Sequence, residues 1–269
     1  MISLWKESSY KSNTPYILDA VISEYDISKA NISVLRDAGV LSEESYSYFL
    51  TCPKLEREIA IGKLQGRDSS VTRILKDGIS NARKVFMESN NIDDKDILSI
   101  RNDAITVINK KPKNLSITDR VKFRLSGEYC SYYRIFNIEL FYLYDRIRNI
   151  EVLDNKGLGE QSTELHRNFM LNFLNELFYS VQIEGLKTAI NLLQTVYMNY
   201  VNRKMEVGFY REFNSNSYYR LNKEFSSVSS LFLEEASEYD KRFIDISYNE
   251  SVLRELNRYL STEFFKIRR

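Results

Sequence analysis

Histidine is almost missing from this chain of 269 residues: His166 is the only one. That excludes multi-histidine metal sites and argues against a histidine-based catalytic triad. Two cysteines, Cys52 and Cys130, are too few for a disulfide framework or a cysteine-based zinc ribbon. Nine glycines and three prolines exclude collagen-like and linker-rich classes. An excess of one charge is also lacking, with 38 Lys and Arg against 37 Asp and Glu. A nucleic-acid surface must therefore be a local patch. The longest tempting uncharged run, Thr188–Asn202, is too short to span a bilayer and carries Asn, Gln and Thr. The first residues, MISLWKESSYKSNTPY, have no long apolar core, so no signal peptide is expected. These absences lead us to expect a soluble, cytoplasmic protein with no membrane partner. Any acid, base or metal chemistry must rest on carboxylates, Lys, Arg, Tyr or Ser.

What is present changes character along the chain. YILDAVISEYDI (16–27) is β-prone and reads as one strand. Ser28 is a cap for a following helix that Gly39 closes. Ser42 opens a short helix to about Leu50, and a basic helix follows through KLEREIAIGKLQ. A further helix, from Ser69 or Ser70 to about Ser89, sets Val71, Ile74, Leu75, Ile79, Ala82, Val85 and Phe86 on one face. Residues 97–108, ILSIRNDAITVI, place two apolar runs around Asn-Asp and predict a hairpin. VKFRL alternates apolar and basic, Gly127 is a turn candidate, and EYCSYYRIF and NIELFYLYD read as aromatic strands. DNKGLG (154–159) reads as a loop. Residues 162–202 predict two helices broken near Gly185, and VLRELNRYLSTEFFKI an amphipathic helix. The expected class is α+β, with an α+β domain over 1–155 and a mainly helical region over 156–269.

Two carboxylates stand out. Asp26 ends a predicted strand just before a helix, and Asp103 sits at the hairpin tip. Two basic stretches accompany them. Residues 54–84 hold eight Lys or Arg against four Asp or Glu, and 101–124 hold seven against two. VKFR places Lys122 and Arg124 on one strand face. The tyrosines of the aromatic strands suit base stacking in one reading and cross-strand sheet packing in the simpler one.

A strand ending in Asp, a helical stretch and an Asp-tipped hairpin, in that order, resemble the palm of template-dependent nucleic-acid polymerases. Asp26-Ile27-Ser28-Lys29-Ala30-Asn31-Ile32-Ser33-Val34-Leu35 resembles motif A of family A DNA polymerases, D-Y-S-Q-I-E-L-R-V-L, at the Asp, the Ser, the apolar Ile32 and the Val-Leu pair. Family B, with D-F-x-S-L-Y-P-S-I-I, is matched at Asp26, Ser33, Val34 and Leu35. Ile100-Arg101-Asn102-Asp103-Ala104-Ile105 resembles motif C, with Asn102 where His stands in the family A and phage RNA polymerase group. The similarity covers about residues 16–110 and suggests a small, phage-type palm.

The resemblance implies a polymerase palm-like sheet followed by a thumb-like helical region. It also implies a nucleotidyltransferase that uses Mg²⁺ or Mn²⁺ held by Asp26 and Asp103. Asn31 would lie at the sugar-screening position, and Arg57 and Lys63 would contact the triphosphate. Lys110, Lys111, Lys113, Lys122 and Arg124 would form a phosphate track for nucleic acid, with DNA favoured over RNA. Nucleoside triphosphates and replication or transcription proteins are the implied partners, in host cytoplasm for a phage protein. The sequence departs from the families in its fingers, where the K-x-x-x-F or K-x-x-x-N pattern is absent. Lys54, Arg57, Lys63 and Arg67 are the nearest substitutes. That departure keeps two other readings open: a non-catalytic nucleic-acid-binding subunit on a degenerate palm, and a protein-interaction domain.

Overall fold

The structure is a computed structural model. It describes residues 3–135, 138–145, 147–148, 150–156, 164–202 and 204, and then 253–254, 256–258, 260–262 and 266. The class is α+β with two antiparallel sheets, and the described chain divides into two compact units. One comprises Met1–Thr14 and Ala20–Tyr129; the other comprises Pro15–Asp19 and Cys130–Arg269.

The first unit contains strands β1 (Ser9–Lys11), β3 (Ile22–Ile27), β4 (Ile97–Arg101), β5 (Ala104–Ile108) and β6 (Phe123–Tyr129), in the order β1-β4-β5-β3-β6. Strand β2 (Tyr16–Ile17) belongs to the second sheet. The sequence-predicted single strand over 16–27 is thus two strands. Asp19, at φ +51°, breaks the extended path between them.

Between β3 and β4 run α1 (Ala30–Asp37), α2 (Glu43–Thr51), α3 (Lys54–Arg67) and α4 (Ser69–Ser89). The Ser42 hydroxyl accepts the Ser45 amide and caps α2, and Asp68 caps α4 by accepting the Ser70 amide. Ser28 does not cap α1. Lys29 occupies that position at φ +49°, and the Ser28 carbonyl accepts the Ser33 hydroxyl instead.

Helix α4 buries Val71, Leu75, Ala82 and Phe86 on one side, as the helical spacing predicts. Phe86 stacks on Phe123 of β6 at 4.2 Å and meets Tyr25 of β3 at 5.5 Å. Tyr25 and Ile27 therefore face the helical core, and alternation turns Glu24 and Asp26 to the other face of the sheet. Gly78 lets α1 approach α4 closely, because a Cβ there would collide with Val34.

The hairpin forms as expected, with Asn102 at φ +48° in its two-residue connection. Gly127 does not turn the chain. It lies within β6, beside a bulge in the pairing with β3, and the Tyr129 ring covers it.

The second unit has β2, β7 (Ser131–Ile135), β8 (Ile138–Asp145) and β9 (Ile150–Lys156) as a four-stranded sheet. DNK is therefore the end of a strand, and 157–159 lie outside the described residues. Helices α5 (Glu164–Tyr179) and α6 (Leu186–Val201) are separated by a π turn, Ser180–Glu184, and by Gly185 at φ +93°. Tyr132, Tyr133 and Tyr142 are fully buried, and Tyr133 stacks on Phe178 at 4.0 Å. These tyrosines build the core rather than a stacking platform. Leu253, Leu256 and Leu260 join the same core. The units divide at Tyr129/Cys130 and not near 155, because β7–β9 bond to one another and to β2.

Candidate active site

In the first unit a cavity of about 620 Å³ opens where β3 ends and the β4–β5 hairpin turns. Asp26 and Asp103 both line it. The register explains why. Asp26, next to last in β3, pairs with Ala104, the first residue of β5, and the Ile27 amide donates to the Asp103 carbonyl at 3.3 Å. The end of β3 and the turn into its neighbour β5 thus deliver the two carboxylates to one place.

The hairpin tip is held from three sides. The Asn102 amide donates to the Ser8 carbonyl at 2.8 Å. Arg83 of α4 donates from Nη1 to the Asn102 carbonyl and from Nε to the Trp5 carbonyl, the latter at 3.1 Å. The Ile27 bond is the third tie. Arg83 is 2% exposed. Burial lowers its pKa, and the charges of Asp103 and Glu7 act in the opposite sense.

Burial pushes the Asp103 carboxyl above the ordinary carboxylate range, and the charges of Asp26 and Glu58 add to the rise. Its own backbone amide and Lys54 oppose it. Asp26 is clasped by Arg124, directly opposite on β6: Nε donates to Oδ1 at 2.7 Å and Nη2 to Oδ2 at 3.2 Å. That pairing raises the Arg124 pKa.

Helix α3 supplies one wall. Lys54, Arg57, Glu58, Ile61 and Gln65 line the cavity at spacings of one helical face. Arg57 also donates to the Cys52 carbonyl at 3.0 Å, and Asn31 donates to Glu58 Oε2 at 3.0 Å. Helix α4 contributes Lys76 and Arg83, and Lys6 comes from the N-terminal segment. In all, seven Lys or Arg and three Asp or Glu line the cavity, so it attracts anions although the whole chain is nearly neutral.

The structure sorts the residues expected from sequence. Asp26, Asp103, Asn31, Arg57 and Arg124 come together. Lys63 does not: it falls two residues from both Ile61 and Gln65, on the opposite side of α3, and is exposed. Lys110, Lys111 and Lys113 also stand apart. They follow the end of β5 remote from Asp103, and Lys110 is held by Asp96 at 3.2 Å and by the Asn91 carbonyl at 2.9 Å. Lys122 is exposed and outside the lining residues. The basic stretch 101–124 therefore forms no single track along the cavity.

Lys6 was not anticipated from sequence, and Glu58, Lys76 and Arg83 entered only as members of the charged stretch 54–84. Arg83 left a signal: it interrupts the apolar stripe of α4, where a charge must have a reason to be buried. Lys76, seven residues earlier, lies on the same side.

Among the described residues, no group of three or more His, Cys, Asp or Glu gathers where it could hold a metal ion. Two carboxylates nevertheless suit magnesium, which binds through one or two of them and takes substrate phosphates and water for the rest.

The first unit is thus an α+β sheet-and-helix module whose cavity joins a carboxylate pair to a ring of cations. The chain belongs to the family described as bacteriophage PBS1 gene 130 protein, whose model matches residues 1–264. A search of curated proteins found no match. No described helix is long and apolar enough to cross a membrane.

Proposed function

We propose that the protein is a nucleotidyltransferase that extends a nucleic-acid strand, built on a small polymerase-like palm. One observation carries this reading: Asp26, near the end of β3, and Asp103, in the turn that leads into the adjacent β5, line one cavity, beside Lys54 and Arg57 of a helix inserted between them in sequence. In the reaction, the 3′-hydroxyl oxygen bonds to the α-phosphorus of a nucleoside triphosphate and gives up its proton to solvent, and the bond from that phosphorus to the oxygen bridging to the β-phosphate breaks, releasing pyrophosphate. Asp26 and Asp103 would hold Mg²⁺ or Mn²⁺. The metal would supply activation of the hydroxyl and neutralisation of the leaving group. Lys54 and Arg57 hold the phosphates as charge moves onto pyrophosphate. Arg83 keeps the hairpin tip, and with it Asp103, in place. DNA is the favoured nucleic acid, and phage replication or transcription proteins in the host cytoplasm are the fitting partners.

Primer extension with all eight nucleotides and either metal tests the reading. Incorporation by the wild type should be lost in Asp26→Ala and Asp103→Ala. No incorporation by the wild type, or equal incorporation by Asp26→Ala, would remove it.

A second reading, a non-catalytic nucleic-acid-binding subunit on the same module, draws on the clasp between Arg124 and Asp26, which fills a would-be metal ligand with an internal cation. Under that reading Asp26→Ala leaves nucleic-acid affinity unchanged and no variant incorporates nucleotide.

A further inference from the structure

We propose that Arg124 makes the cavity selective for a metal-complexed polyphosphate over either the bare metal or the bare polyphosphate. The inference rests on the metal role of Asp26 given above and assigns Arg124 a specificity-determining part in it.

The position of Arg124 is built into the backbone. Along Ile22–Glu24, β3 pairs with Tyr129, Glu128 and Gly127 of β6; beyond the bulge, Tyr25, Asp26 and Ile27 pair with Leu125, Arg124 and Phe123. Had the first register continued, Leu125 would stand opposite Asp26. The single extra residue of the bulge replaces that leucine with an arginine, and bulges commonly re-aim a side chain in this way. Leu125 stands opposite Tyr25 instead and is 45% exposed.

The clasp is bidentate, yet the Arg124 side chain is 65% exposed against 24% for Asp26. The bidentate geometry makes this one of the firmer surface pairs, but its arginine side stays open to water and so to an incoming partner. What replaces it decides the selectivity. A bare divalent cation must evict the guanidinium from Asp26, and it leaves that charge in a cavity already lined by Lys6, Lys54, Lys76 and Arg83. A bare polyphosphate meets Arg124 already neutralised and also faces Asp26, Glu58 and Asp103. The complex of the two brings both opposite charges at once: the cation takes Asp26, and a phosphate takes the released guanidinium, to which it is geometrically matched. One ion pair becomes two, so metal and polyphosphate bind with positive coupling, each raising the affinity of the other by the same factor.

Calorimetric titration of the full chain with Mn²⁺ alone and with an equimolar mixture of Mn²⁺ and inorganic tripolyphosphate tests this. The wild type should bind the mixture at least tenfold more tightly than the metal. Arg124→Gln should move the two affinities in opposite directions: bare Mn²⁺ tighter by fivefold or more, and the complex weaker by fivefold or more. Arg124→Lys, which keeps the charge and loses the fork, should fall between. Arg124→Gln shifting both probes the same way, or neither, while Asp26→Asn still abolishes Mn²⁺ binding, would overturn the role of Arg124 and leave the metal site standing. Binding of neither probe by the wild type or by Arg124→Gln would instead overturn the metal reading and the inference with it.

Discussion

Arg83 and Asp103 both belong to the fixed end of the hairpin, and each carries a testable consequence. Two of the Arg83 hydrogen bonds reach backbone carbonyls of Asn102 and Trp5, and the Ser80 hydroxyl also donates to Trp5, at 3.2 Å. Arg83→Met leaves the Asn102 carbonyl without this charged donor and should destabilise the fold by about 2 kcal/mol, whereas Ser80→Ala should cost about 0.5–1 kcal/mol. Urea denaturation reads both, and a change below about 0.5 kcal/mol in Arg83→Met would deny it the tie. Asp103 has its pKa raised in the folded state, chiefly by burial. Its contribution to stability is therefore fully present below the unfolded carboxyl value of about 3.9 and is lost as pH rises through the folded value. Asp103→Asn stays neutral throughout. It should be more stable than the wild type at pH 7, with the gap closing as pH falls toward 4. A gap that widens on acidification would contradict the burial of this carboxylate.

At the scale of elements, the sequence displayed its periodicities more openly than its registers. Helix α4 was legible because Val71, Leu75, Ala82 and Phe86 recur at helical spacing, and the hairpin because Asn102-Asp103 separates two apolar runs. The split of 16–27 into β2 and β3 was not legible, since Leu18-Asp19-Ala20 looks as strand-like as its neighbours. It depends on which sheet each piece finds. The bulge that sets Arg124 over Asp26 was equally hidden, because register is a property of two strands. Glycines in the helices show the same dependence on neighbours. Gly62 and Gly66 of α3 have open space where a Cβ would go, but Gly78 of α4 has Val34 there. Alanine should therefore stabilise by about 0.5–1 kcal/mol at 62 or 66, the ordinary helix preference. At 78 it should destabilise by about 1–3 kcal/mol through overpacking. Val34→Ala combined with Gly78→Ala should recover part of that loss. Thermal melts of the four variants separate these signs, and a stabilising Gly78→Ala would show that α1 and α4 are not in close contact.

Across the whole molecule, near-neutral net charge hides a strong local asymmetry. The cavity gathers cations from five separated places: Lys6, Lys29, Lys54 with Arg57, Lys76 with Arg83, and Arg124. The stretch 54–84 supplies four of the seven, whereas 101–124 supplies only Arg124, so the second stretch pointed to a surface that the fold does not assemble. Lys110, Lys111 and Lys113 follow the far end of β5 and do not line the cavity. Lys54→Ala with Lys76→Ala should weaken nucleoside triphosphate binding at least tenfold, and a triple alanine substitution at 110, 111 and 113 should leave it within twofold. Equal losses from both would mean that the cavity is not where the phosphates bind. The proposed sharing of a divalent cation by Asp26 and Asp103 can be checked by anomalous diffraction from crystals grown with Mn²⁺ and a non-hydrolysable nucleoside triphosphate. A manganese peak should bridge the two carboxylates at metal–oxygen distances of about 2.0–2.3 Å, with any second peak about 3.5–4 Å away. Manganese bound elsewhere in the unit, with Arg124 still clasping Asp26 in the presence of the nucleotide, would contradict it.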